Sequence, residues 1–236
     1  MRDALEHDLD FTPGERFAYS NVGYCILGRV IERVSGERYE SFVRNLILKP
    51  SGTEGLRLGR TLTPAAGEVT YYDFPGKAAP GFGIGTVPGP YGTLPLEMMD
   101  SYGAWIGSAS DILRFFLAID GAKGSALLQP ASLREMRARP AITGQKSVDM
   151  PKTYYGLGIE VTTVAGINWW HDGLQPGVMS LALRTADGYA WVVLFNSRPE
   201  DNHAFFADFD KALWNAKAKV TRWPEGDLFA DEKISN

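Results

Sequence analysis

The chain has 236 residues, 44% of them hydrophobic and 22% charged, with a formal net charge of -4 and a pI near 5.5. That length buries a real core as one large domain or two small ones, and the acidic balance argues against a nucleic-acid binder, because neutralising phosphates takes clustered Lys and Arg. A single cysteine, Cys25, excludes an internal disulfide, and no apolar run approaches the ~20 residues that span a bilayer.

In chain order, Met1-Arg-Asp-Ala-Leu-Glu-His-Asp-Leu-Asp is too acidic and too poor in apolar residues for a signal peptide, and the compartment stays open. Phe11-Thr-Pro-Gly-Glu-Arg-Phe-Ala-Tyr-Ser-Asn-Val-Gly-Tyr24 then sets a Pro-Gly turn before an amphipathic stretch. Apolar residues at 22, 26, 27, 30, 31 and 34 follow the 3.6-residue period and predict a helix over Val22 to Val34. Asn21 is its N-cap candidate and Gly36 its stop, and Cys25 reads as a small buried apolar residue inside it. Tyr39 to Leu48 predicts a second helix, closed by Pro50-Ser-Gly52.

From Thr53 to Asp100 Gly and Pro recur without a long periodic segment, which predicts a loop with room for short strands. Tyr71, Tyr72, Phe74, Phe82 and Tyr91 within it predict order, packed on a neighbour. Ser108-Ala-Ser-Asp111 opens a helix to about Ile119 with Gly121 beyond, Ser108 and Asp111 forming a capping pair. Pro130 to Arg137 is a further short helix. After Pro151 the texture turns to strand: Tyr154 to Val161, Ile167 to His171, Val178 to Arg184 and Tyr189 to Asn196, the last two flanking the hairpin signal Thr185-Ala-Asp-Gly188. Asp201 to about Ala216 is a closing helix with Phe205, Phe206, Phe209, Ala212 and Leu213 on one stripe. Helices and loops first, then antiparallel strands and a final helix, make an α+β layout. We expect one domain over 1–222, helical and looped over 11–150 and sheet plus closing helix over 151–217, with a polar tail over 223–236.

Four stretches in this order carry a resemblance: Tyr19-Ser-Asn21; Gly103-Ala-Trp-Ile-Gly-Ser-Ala-Ser-Asp-Ile-Leu-Arg-Phe115; Tyr155-Gly-Leu-Gly158; and His171-Asp-Gly-Leu-Gln-Pro-Gly-Val178. Together, over residues 11–197, they resemble the serine β-lactamase and penicillin-binding-protein superfamily, nearer its esterase and D,D-peptidase branch than the true β-lactamases. The resemblance implies a β-lactamase/transpeptidase-like fold and an acyl-enzyme hydrolase of esters, amides or peptides. It also implies a nucleophilic serine in an upstream Ser-x-x-Lys. No serine here has Lys three residues on; Ser41-Phe-Val-Arg44 is the nearest miss. The expectation is therefore an N-terminally truncated relative, inactive as given, or alternatively a non-catalytic ligand-binding module or a complementing subunit of the same fold.

The resemblance assigns catalytic roles to Tyr19, Asn21 and His171. Tyr19 is the phenol that assists proton removal from serine; a free phenol has a pKa near 10, so without a neighbouring cation it stays an ordinary phenol, and a packed loop tyrosine is the plainer reading. Asn21 is either the amide that meets a substrate carbonyl or the helix cap, and one side chain cannot do both. Ser20 lacks any evident base to make it a nucleophile. His171 stands where the family's strand cation lies, with Gly173, Pro176 and Gly177 around it favouring a site over a lone strand histidine. Asp172, Gly173, Leu174 and Trp105 are the substrate-binding candidates. Asp172 replaces a hydroxyl that helps bind a substrate carboxylate, and it either repels such a group or turns away with strand alternation. Leu174 resembles the position whose N–H forms half of the oxyanion hole. This moves the expected substrate towards neutral esters or amides.

His7, His171 and His203 lack metal-ligand spacing, so no metal and no other cofactor is expected. Gly81-Phe-Gly-Ile-Gly85 lacks the dinucleotide spacing. Without the upstream segment, three antiparallel strands and the closing helix remain, Tyr189 to Asn196 becomes an exposed edge, and the helical part bares an apolar patch. A partner segment or self-association through that edge is the expected consequence.

Overall fold

The computed structural model describes residues 6–74, 78–80, 85–122, 124–141 and 152–227. They divide into two units: Met1–Glu68, Leu94–Gly173 and Ser180–Leu194 form the first, and Val69–Thr93, Leu174–Met179 and Phe195–Asn236 the second.

In the first unit, helix α1 spans Asn21–Ser35. Its N-cap is Ser20, not Asn21: Ser20 is extended, and its Oγ accepts from the Gly23 N–H at 3.0 Å. Asn21 is already helical, which frees its amide from capping. Gly36 stops the helix in the left-handed conformation, φ 75°, with its N–H on the Glu32 carbonyl at 2.9 Å. The apolar period is as expected, but its burial is not. Val22, Leu27, Val30 and Val34 are exposed, Val34 to 82%, and the one fully buried residue of α1 is Gly28. A Cβ there would stand 2.3 Å from the Ser101 Oγ, so the helix backbone lies directly on the turn at 100–101. Ser101 Oγ donates to the Tyr24 carbonyl at 2.9 Å, and Arg29 pairs with Asp100, fastening the same contact. Cys25 is half-buried.

Helix α2, Tyr39–Val43, widens into a π-turn at Arg44–Leu48 and continues as α3, Lys49–Ser51, to a left-handed Gly52. The chain thus runs helically through Pro50, which was expected to close it. Pro50 sits where the π-turn passes into α3, so its missing N–H falls at the junction of the two hydrogen-bond patterns. Strand β1 (Arg57–Leu58) pairs antiparallel with β4 (Trp105–Ile106). Between them Thr61 and Glu97 clamp the loop: the Thr61 hydroxyl donates to Glu97 Oε2 at 2.6 Å and accepts from the Leu96 N–H at 2.8 Å. Helix α4, Ala109–Asp120, carries the expected capping pair, with Ser108 Oγ accepting from Asp111 N–H at 3.1 Å and Gly121 left-handed at its end. Helix α5 spans Pro130–Met136.

The main sheet has five strands in the order β5-β6-β7-β8-β9: Thr153–Tyr155, Glu160–Thr162, Asn168–Gln175, Val178–Arg184 and Ala190–Phe195. Four strand runs were expected. The difference is the run from Tyr154 to Val161, which folds back on itself as the antiparallel pair β5–β6. Gly158, at φ 78°, takes the turn, and Gly156 closes it with its N–H on the Ile159 carbonyl at 2.7 Å. Gly156 also lies against the Met136 carbonyl at the end of α5, where a Cβ would come within 2.3 Å of backbone oxygen.

Phe116 and Ile119 of α4 pack on Tyr154, Ile159, Val161, Trp169 and Ala182. Val161 and Trp169 are 0% and 1% exposed, and Phe116 stacks on Trp169 with ring centroids 5.2 Å apart. Each such side chain contributes roughly 1.5–3 kcal/mol of burial. Arg184 of β8 reaches Asp120 of α4 at 2.9 Å, largely out of solvent. Strand β9 terminates the sheet order, the edge position expected of it.

In the second unit, β2 (Ala78–Pro80) and β3 (Thr86–Pro88) form an antiparallel pair. Tyr71 packs on Tyr91 at 6.1 Å, Tyr72 bridges Ser197, and Arg198 holds Asp73 through two bonds of 3.0 and 3.2 Å. The loop aromatics are therefore ordered as expected, apart from Phe82, which lies outside the described residues. Helix α6, Asn202–Lys219, is capped by Asp201, and Phe205 and Phe209 meet Phe195 edge-on at 5.4 and 5.1 Å. Residues 224–227 are exposed, and the rest of the tail lies outside the described residues.

Candidate active site

The turn before α1 brings Phe17 and Tyr19 onto one residue of β5. Tyr155 meets Phe17 at 5.3 Å and Tyr19 edge-on at 5.8 Å and 85°. On its other side the Tyr155 hydroxyl lies 3.2 Å from Nε2 of His171 in β7, ring edge to ring face. One tyrosine thus joins the N-terminal loop to the histidine strand. A fourth ring enters from α1, where the Tyr24 hydroxyl lies against Gly158 and its side chain hydrogen-bonds Tyr155. Gly158 is needed twice: for its left-handed turn, and because a Cβ would crowd that hydroxyl at 3.2 Å.

The electrostatics of this cluster oppose negative charge. Burial pushes the Tyr19 phenol above its ordinary range, and the nearby Asp172, Tyr24 and Glu160 push it further. Burial raises Tyr155 much more strongly, reinforced by Tyr24, Tyr19 and Glu160. Glu160, in β6, is raised first by burial and then by Asp172. Tyr19 and Tyr155 therefore stand as protonated phenols.

Strand register explains the position of Asp172. Glu160 faces Trp170 across β6–β7, and Asp172 lies two residues further along β7, on the same face. Its charge is felt at both Tyr19 and Glu160. At Gly173 of β7 a Cβ would stand 2.5 Å from Ser180 Oγ of β8. Asn21 is exposed one residue past the cap. Leu174 is exposed and belongs to the second unit. Trp105, in β4, donates its indole N–H to the Tyr39 hydroxyl at 3.2 Å and meets that ring at 6.3 Å.

The structure thus groups Tyr19, His171 and Asp172 and adds Tyr155, Glu160 and Tyr24, which sequence reasoning gave no role. Their signals were present: a tyrosine heading the Tyr155-Gly-Leu-Gly158 stretch, and a lone carboxylate, Glu160, between apolar strand residues. Among the described residues, no group of three or more His, Cys, Asp and Glu is placed to hold a metal ion. None of their helices is long and apolar enough to cross a membrane.

Comparison with known proteins gives a consistent result. The family model described as Beta-lactamase matches residues 1–213. Penicillin-binding protein 4* of Bacillus subtilis (strain 168) is 40% identical over 224 residues, covering 89% of this chain and 45% of that protein. The crystal structure of a D-stereospecific amidohydrolase from Streptomyces sp. superposes with a TM-score of 0.65 at 29% identity, covering 82% of this chain and 54% of that one. That of a D-amino acid amidase from Ochrobactrum anthropi SV3 superposes with a TM-score of 0.68 at 22% identity, covering 92% and 63%. The chain spans about half the length of these proteins, 45% to 63%.

Proposed function

This chain belongs to the beta-lactamase family, and from that membership we propose that it carries the assisting half of a serine-hydrolase site for small ester, amide or peptide substrates. Tyr19, Asn21 and His171 are the assisting groups; Asp172, Gly173, Leu174 and Trp105 are the substrate-facing ones. The observation that carries this reading is the convergence of Tyr19 and His171 on Tyr155, from opposite ends of the sequence. Acyl transfer also requires a nucleophile with a base in hydrogen-bond reach, and no serine in this sequence is followed by lysine at the third place. The chain therefore assists the reaction when a Ser-x-x-Lys segment is present and performs none by itself.

In that reaction the serine oxygen attacks the substrate carbonyl, and its proton leaves through the lysine and Tyr19 pair. Asn21 meets the carbonyl side of the substrate, and His171 donates to it from β7. The carboxylates of Asp172 and Glu160 disfavour a substrate carboxylate, which supports neutral esters or amides.

Incubation with a fluorescent penicillin and a fluorophosphonate, read by intact mass, tests this. The chain alone should stay unmodified, and addition of a Ser-x-x-Lys segment from a relative should yield one adduct on that segment's serine. An adduct on the chain alone overturns the proposal. The raised Tyr19 phenol, a poor base, favours a second reading, a binding module of the same fold. Saturable binding of an amide with no adduct in either mixture would select it.

A further inference from the structure

Tyr19 lies in the irregular segment before α1 and is 56% exposed. An exposed side chain hops among its staggered rotamers within nanoseconds, so a phenol that is to meet a reacting group needs a neighbour to hold it. Tyr155 is such a neighbour. It meets Tyr19 at 5.8 Å and 85°, the edge-to-face geometry that aromatic rings favour, and Phe17, two residues before Tyr19, at 5.3 Å. It also meets His171, with the rings 6.2 Å apart at 77° and the hydroxyl 3.2 Å from Nε2. Tyr155 itself has a firm seat. The preceding Tyr154 is buried, pairs with the fully buried Val161 of β6 and donates its hydroxyl to the Arg137 carbonyl at 2.8 Å. The two residues after it are tied through their N–H groups, Gly156 to the Ile159 carbonyl at 2.7 Å and Leu157 to the Met136 carbonyl at 2.9 Å. A side chain rooted in the core thus touches both an exposed phenol and the imidazole of β7.

We propose that Tyr155 is a positioning residue that holds the Tyr19 phenol and the His171 imidazole each in a single rotamer, its ring fixing Tyr19 and its hydroxyl fixing His171. The inference rests on the reading of Tyr19 and His171 as assisting groups for its use in a reaction. The positioning itself is tested on the chain alone.

In a chain labelled with 13C and 15N, three-bond couplings across Cα–Cβ read whether a side chain keeps one rotamer or averages over several, a readout that a lost ring current does not move. In the native chain Tyr19 and His171 should each show single-rotamer couplings, and the Tyr155 ring should give Overhauser contacts to both. Tyr155→Phe, which keeps the ring and removes the hydroxyl, should leave Tyr19 in one rotamer and average His171. Tyr155→Leu should average both, with the amide spectrum elsewhere preserved. Averaged couplings at either residue in the native chain overturn the proposal even where neither variant folds. So does a single rotamer at either residue in a folded Tyr155→Leu, and so does an averaged Tyr19 or a fixed His171 in a folded Tyr155→Phe. A chain whose rotamers behave as stated, yet which neither binds nor helps process esters or amides, upholds this inference and overturns the functional reading instead.

Discussion

Gly28→Ala should destabilise the chain, although alanine is the better helix former. In an exposed helix the exchange gains about 0.8–1 kcal/mol. Here the added Cβ would stand 2.3 Å from Ser101 Oγ and 2.6 Å from Ser101 Cβ. Rotating Ser101 away breaks the bond that its Oγ donates to the Tyr24 carbonyl at 2.9 Å. Overpacking of this kind costs about 1–3 kcal/mol, and the lost hydroxyl bond about 0.5–1.5 kcal/mol more. Net of the helix gain, the loss is about 2 kcal/mol, within roughly 0.5–3.5. Ser101→Gly removes both offending atoms, so the double variant should recover about 1–3 kcal/mol as a coupling energy. Urea unfolding followed by far-UV circular dichroism, on the parent, two single variants and the double, closes the cycle. A stabilised Gly28→Ala, or strictly additive variants, would show that α1 does not rest on Ser101 and that the loop leading to Tyr19 is not fixed from there.

Ser20→Ala should cost about 1 kcal/mol by uncapping α1, while Asn21→Ala should change stability little; the reverse order would restore Asn21 as the cap. Asp120→Ala should cost about 3–5 kcal/mol, since it leaves the Arg184 guanidinium buried without its carboxylate; a loss below 1 kcal/mol in a urea melt, the surface-pair scale, would refute that burial. Glu160 holds its proton to higher pH when folded than when unfolded, so its share of stability is complete below the ordinary glutamate range and is lost as pH rises through its raised value. Denaturation midpoints from about pH 4 to pH 8 should therefore fall less in Glu160→Gln than in the parent, and a steeper fall would contradict the burial and the Asp172 repulsion behind it.

What could be read from the sequence was local chemistry. Gly36, Gly121 and the Ser108–Asp111 pair end their helices because a left-handed carbonyl lock or a hydroxyl cap is written in a few adjacent residues. Ser20 and Asn21 are equally good caps one place apart, and only the extended backbone of Ser20 decides between them. The β5–β6 turn was hidden for a different reason. Gly156 and Gly158 sit in a run of strand-forming residues, and what bends it is the distant Met136 carbonyl and the Tyr24 hydroxyl. The site followed the same division. Tyr19, His171 and Asp172 were found from their motifs, whereas Tyr155 and Glu160 acquire meaning only when strand pairing sets them beside those three. The α1 stripe shows that a helical period predicts a helix and not what covers it.

The sandwiching of Trp169 against Phe116 equips the first unit with an optical gauge of its own. An indole sealed from solvent emits to the blue and escapes iodide quenching, whereas Trp223, 47% exposed in the second unit, emits to the red and is quenched. In variants where Trp169 or Trp223 is the sole tryptophan left of the six, the two colours shift together if the units melt as one body, and in sequence if each has a melting point of its own.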